Sequence, residues 1–138
     1  MADSTERIEY YHTTLADSPG EGARILSVLK DRGVNLLAFL AFPLGGGQSQ
    51  LDLVPEDPAA LTKAAAQADI DLSDSKWAFL VRGEDRVGAV TGVMDKLAMA
   101  GVNVTAATAI SCDPGARYGM LLWVAPNDYE RAAKALGA

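Results

Sequence analysis

The sequence has one cysteine, one histidine and no long apolar run, and each shortage removes a class of function. A lone Cys112 forms no internal disulfide, and with only His12 beside it there is no Cys/His set for zinc. Cys112 reads as a small residue near a turn, because a reactive thiol needs an electropositive setting. No stretch approaches the ~20 apolar residues that span a bilayer. The segment Met1 to Tyr10, MADSTERIEY, has neither a basic start nor an apolar centre, so no signal peptide is expected and a cytoplasmic protein is. Basic residues are in short supply too: 12 Lys and Arg against 18 Asp and Glu leave a net charge of -6. That balance offers no general attraction to phosphate backbones or anionic lipid, so neither nucleic acid nor a membrane is expected as a partner. What is present, 138 residues of which 49% are hydrophobic, suffices for one ordinary domain or two very small ones.

The chain matches itself without a gap at an offset of 68 residues, the distance from Asp17 to Asp85. Asp17, Gly20, Leu29, Gly33, Val34, Asn35, Ala38 and Ala41 fall on Asp85, Gly88, Leu97, Gly101, Val102, Asn103, Ala106 and Ala109. The apolar pattern stays in register: Ile25, Leu26 and Leu29 fall on Val93, Met94 and Leu97, at the spacing of one helix face.

Each copy reads in the same order. Tyr10 to Leu15 and Ala78 to Val81 read as strands. A helix follows from about Gly20 to Arg32, after the capping candidates Asp17 and Ser18, and closes at Gly33; Gly88 to Ala100, closed by Gly101, repeats it. Val34 to Pro43 and Val102 to Ser111 are apolar strands leading into hairpin tips at GGGQSQ (45–50) and DPGARYG (113–119), where glycine supplies positive φ. Leu51 to Val54 and Met120 to Val124 return. A second helix starts at Pro58 after Asp57, and its later copy after Asn127 or Asp128.

A short strand at Ile70 to Leu72 would complete βαββαβ in the first copy, and the second copy ends before the equivalent strand. The expected fold is α+β: a ferredoxin-like βαββαβ unit in two tandem copies, residues 8–74 and 75–138, with antiparallel sheets and helices on one face. The second copy lacks its last strand. That leaves an edge beside its first strand open to the N-terminal segment or to another chain, which argues for a homodimer.

These residues carry a resemblance. A strand, then DSPGEGARILSVLKDRGVNLLAF (17–39), then a hairpin and a second helix, resembles the ACT domain, a small regulatory module of amino-acid metabolism enzymes. Asp17, Pro19 and Gly20 match the acidic residue and Pro-Gly before the first helix, with Ser18 opening the turn that would hold the ligand; Gly33, Val34 and Asn35 match the Gly-hydrophobic-Asn at its end. The second copy keeps Asp85, Gly88, Gly101, Val102 and Asn103, with Val87 in place of the proline and Arg86 beside it. The resemblance implies a regulator that binds an amino acid or similar metabolite where units or chains meet, coupled to assembly or to a partner enzyme of amino-acid metabolism.

The physics of the motif agrees. A helix N-terminus with unpaired N–H groups suits a carboxylate, and a side-chain amide can both donate and accept. Each residue also has a structural role open to it: Gly33 and Gly101 as helix C-caps, Asp17 and Asp85 as helix N-caps, Pro19 as a turn former, Asn35 and Asn103 as partners of the local backbone. Arg24, Arg82 and Arg86 are candidates to pair a ligand carboxylate. Tyr10, Tyr11, Trp77 and Phe79 mark strand faces, with core or inter-unit packing as their expected role.

Catalysis finds no support. GEGARILS (20–27) lacks the lysine and hydroxyl of a phosphate loop, the single histidine permits no Ser/His/Asp set, and no cofactor or metal is implied. A small dimeric α+β barrel enzyme, or an interaction module without a ligand, are the alternative readings.

Overall fold

The computed structural model describes residues 3–138. The chain divides into two compact units, one of residues Glu9–Lys76 and one of Trp77–Ala138 together with the segment ending at Ile8. Among the described residues there are six strands and four α-helices: β1 (Ser4–Ala16), α1 (Glu21–Asp31), β2 (Leu36–Gly45), β3 (Gln48–Pro55), α2 (Pro58–Gln67), β4 (Lys76–Glu84), α3 (Ala89–Met99), β5 (Val104–Asp113), β6 (Arg117–Val124) and α4 (Tyr129–Leu136).

In the Glu9–Lys76 unit the strands are ordered β2-β3-β1, with both pairings antiparallel. Alternation fixes which face is covered. Tyr11, Leu51 and Leu53 share one face and pack with Ile25 and Leu29 of α1 and Leu61 and Ala64 of α2. Burying a leucine of this kind stabilises by about 1.5–3 kcal/mol. Asp57 caps α2 as its type suggests, its carboxylate accepting the Ala59 N–H at 3.0 Å.

The second unit repeats the plan. Phe79 and Val81 of β4, Met120 and Leu122 of β6, Val93 and Leu97 of α3, and Ala132 and Ala133 of α4 form its core, with β6 between β4 and β5. Phe79 stacks on Tyr129, ring centroids 4.4 Å apart and planes at 8°. The Tyr129 hydroxyl donates to the Ala78 carbonyl at 3.0 Å, and burial pushes its pKa up to about 12. Among the described residues no helix is long and apolar enough to cross a membrane.

Several expectations need correction. Ile70–Leu72 is not a strand; the chain reaches β1 only after it, where the Ser73 N–H donates to the His12 carbonyl at 2.8 Å, its hydroxyl accepts the His12 N–H at 2.9 Å, and the Ser75 hydroxyl donates to the Glu9 carboxylate. Asp69, with φ 55, turns the chain there, and the following extended segment does not form a ladder. The edge expected to be open beside β4 is covered, because β1 starts at Ser4 rather than Tyr10 and its first half lies next to β4. Ion pairs Arg82–Glu6 and Arg7–Glu130, both 2.8 Å, hold that half in place, and Arg7 also lies 5.6 Å from the Tyr129 ring centroid. Trp77 is not packed inward but half exposed. Asp128 precedes α4 without capping it, pairing instead with Arg131 at 2.7 Å.

Candidate functional site

The head of α1 is where chain geometry leaves polar groups unused. Gly20 is the N-cap and takes φ 88, a conformation that favours glycine, and neither Asp17 nor Ser18 caps the helix through its side chain. Pro19 has no N–H. The Ser18 carbonyl accepts the Glu21 N–H at 3.4 Å, and the Gly20 carbonyl accepts that of Arg24 at 2.9 Å. Among the described residues the N–H groups of Gly20, Gly22 and Ala23 meet no acceptor. A helix dipole and three free donors make this a place where an anion is favoured.

Asp17 is withdrawn from the cradle. Its N–H donates to the Gly47 carbonyl at 2.9 Å and its carboxylate accepts the Ser49 hydroxyl at 3.0 Å, so it ties the loop to the β2–β3 hairpin tip. Asp85 does the same in the second unit: its N–H donates to the Ala116 carbonyl, and its carboxylate accepts the Ser111 hydroxyl at 2.6 Å and the Gly115 N–H at 3.0 Å. The Ser111 and Gly115 hydrogen bonds hold the Asp85 carboxyl below the ordinary value. The two acids are therefore hairpin ties rather than helix caps.

The second loop uses as many of its own donors but at different positions, and among the described residues the N–H groups of Gly88 and Val90 are free as those of Gly20 and Gly22 are. Gly88 is the N-cap with φ 74, the Arg86 carbonyl accepts the Ala89 N–H, and Thr91, the counterpart of Ala23, donates its N–H to Gly88. Val87, where the motif has proline, is fully exposed.

At the far end of the helices Gly33 (φ 71) and Gly101 (φ 70) close each one, with Val34 and Val102 donating their N–H back to Leu29 and Leu97. Val34 and Val102 are buried in the two cores. Asn35 and Asn103 are both exposed, and Asn35 donates to Glu56 at 2.6 Å. The Gly101 carbonyl accepts a hydrogen bond from Arg131. The motif's two halves lie at opposite ends of an 11-residue helix, ~16 Å apart at 1.5 Å per residue, so one copy of the unit does not bring them together.

All three candidate arginines have carboxylate neighbours: Arg24 with Glu21 at 2.9 Å, Arg82 with Glu6, and Arg86 with Asp3 at the longer distance of 3.5 Å. A feature the sequence did not point to lies beside α1. Because Ile70 and Asp71 do not pair as a strand, they leave a cleft of about 240 Å³ bordered by the end of β1, Glu21, Arg24, Asp69 and Asp71. Among the described residues no cluster of His, Cys, Asp and Glu is arranged to hold a metal.

The sequence matches no family model and no curated protein. The fold is shared with regulatory subunits of aspartate kinase. It matches the regulatory subunit of aspartate kinase from Thermus thermophilus with TM-score 0.64 at 15% identity, over 98% of this chain and 94% of that one. It also matches a C-terminal regulatory domain of aspartate kinase from Porphyromonas gingivalis, TM-score 0.55 at 14% identity over 99% and 94%. A protein from Bacteroides thetaiotaomicron is similar at TM-score 0.81 and 15% identity, over 96% of this chain and 88% of that one. At these identities the likeness is one of fold, and the resemblance read from the repeated motif holds at that level.

Proposed function

We propose that the protein is a non-catalytic regulator built from two tandem ferredoxin-like units, residues 8–74 and 75–138, that binds an amino acid or a related small metabolite. Its output passes to a partner enzyme of amino-acid metabolism. The observation that carries this reading is the head of α1, where three N–H groups are free while Asp17 is held away. A ligand carboxylate takes those donors, and the acidic cleft formed with Glu21, Asp69 and Asp71 suits an ammonium group.

Completing the site with the Asn35 end of another helix requires a second copy, so the active form is a homodimer. The edge strands β2 and β5 suit that pairing. Each is ten residues long, β2 carries no charged residue, and Phe39, Leu44 and Ile110 stand exposed on them.

A thermal-shift screen of the common amino acids tests the reading, because a ligand at 100 times its Kd adds about 2.7 kcal/mol to stability. The expected result is a shift for one or a few amino acids. Gly22→Pro removes one free N–H where a side chain has open space, and should abolish that shift while the protein stays folded. No shift with any amino acid at millimolar concentration would contradict the proposal.

A further inference from the structure

In the second unit a carboxylate is already in place. Asp3 lies against Gly83 of β4, its Oδ1 3.5 Å from the Arg86 guanidinium. Gly83 makes the room: a Cβ there would collide with Asp3 Oδ1 and come within 2.7 Å of Tyr118 Cε1. Tyr118, paired with Gly83 across β4 and β6, is 6% exposed. Its buried hydroxyl makes no hydrogen bond of normal geometry among the described residues, although burial and the nearby Asp3 carboxylate raise its pKa. Next to it a cleft of about 220 Å³ is lined by Arg86, Gly88, Ile110 and Tyr118, and also by Asp85 and Ser111, whose carboxylate and hydroxyl are bonded to each other at 2.6 Å.

Asp3 is a poor fit. A charge-assisted N–H to carboxylate bond is normally about 2.7–2.9 Å long, and a buried phenol normally finds an acceptor. Arg86 Nη1 donates to the Glu84 carbonyl at 3.0 Å and reaches Asp3 only at 3.5 Å, so its carboxylate contact is loose, and the Tyr118 hydroxyl is left without an acceptor of normal geometry among the described residues. The first unit has no such pocket: 68 residues earlier, Leu15 replaces Gly83, Ser18 replaces Arg86 and Gln50 replaces Tyr118.

We propose that Gly83, Arg86 and Tyr118 form a carboxylate-binding site, filled in the free protein by the chain's own Asp3 and taken by the carboxylate of a small amino or organic acid when Asp3 leaves. The biological sense of this exchange rests on the regulatory reading above, but the exchange itself is a property of the second unit alone.

The test is an amide NMR titration of the full-length chain with acetate, against chloride at matched ionic strength, in the wild type, Asp3→Ala, Asp3→Asn and Arg86→Gln. An internal competitor that occupies most molecules raises the apparent Kd by the inverse of the open fraction. Removing it should therefore lower the apparent Kd for acetate roughly tenfold, read at Gly83, Arg86 and Tyr118. Asp3→Asn should do the same with less change of shape, and Arg86→Gln combined with Asp3→Ala should abolish the response. An unchanged Kd in both Asp3 variants, or a response that survives loss of Arg86, overturns the proposal. The first-unit amides report separately: an amino-acid response missing at Gly20 to Ala23 defeats the regulatory reading and leaves this site standing.

Discussion

The two loops that head α1 and α3 stand at matched positions of the 68-residue offset and differ in which polar groups they use. In the first, three N–H groups are free and nothing of the chain's own fills the space. In the second, the N–H groups of Gly88 and Val90 are also free among the described residues, but Thr91 donates where Ala23 does not, Asp3 approaches Arg86, and Gly83 gives it room. The cores beneath them have stayed alike: Leu29 and Leu97, matched at the repeat, are both essentially inaccessible. Shared packing with divergent loops is what is expected when the scaffold is preserved by burial and the site changes by loop substitution.

The largest expected effect tests whether the cores are equivalent. Leu29→Ala and Leu97→Ala should each destabilise by about 2–5 kcal/mol, and by similar amounts, in urea unfolding. A cost confined to one of them breaks the comparison. Next comes Gly83→Ala, which introduces a crowded methyl group and should cost about 1–3 kcal/mol, whereas Leu15→Ala at the matched position leaves a cavity instead. Unfolding midpoints for Gly83→Ala with and without Asp3→Ala sharpen this, since removing Asp3 should recover part of the loss.

Smaller again, Gly33→Ala and Gly101→Ala should each cost about 1–2 kcal/mol, from the left-handed backbone alone, because a Cβ at either meets nothing within 4 Å. The smallest effect is acid dependence at Asp85. Its folded-state pKa is lowered, so its contribution is present above the ordinary carboxylate value and is lost as pH falls through the lower folded value. Hydrogen exchange at the Gly115 amide should therefore accelerate in acid beyond its intrinsic pH dependence, and Asp85→Asn should flatten that extra dependence.

Much of the scaffold was legible because burial imposes period. The face formed by Ile25, Leu29, Val93 and Leu97 announced both helices, and glycines at the ends announced the Gly33 and Gly101 closures. The Asp57 cap was legible for the same local reason. The parts that were not legible depend on distant partners. Ser4–Arg7 is polar and has no strand alternation; it becomes a strand through β4 and the ion pairs of Glu6 and Arg7. Asp17 and Asp85 stand where helix caps stand, and only the hairpin's return shows them bonded to Ser49 and Ser111 instead. Ile70–Leu72 has a strand's composition, yet the turn at Asp69 leaves it without a ladder. The cleft of Arg86 and Tyr118 beside Gly83 was half legible: Arg86 and Gly88 stand in the repeated loop, but Gly83 and Tyr118 come from β4 and β6, with no motif to mark them.

The inequality of the two loops is tested most directly by amide NMR of the wild-type chain titrated with the amino acid that gives the largest thermal shift. The account predicts saturable shifts at Gly20, Gly22 and Ala23 in the wild type, with Arg86 and Gly88 responding only weakly until Asp3 is replaced by alanine. Equal responses at both loops in the wild type, or none at the first, would contradict it.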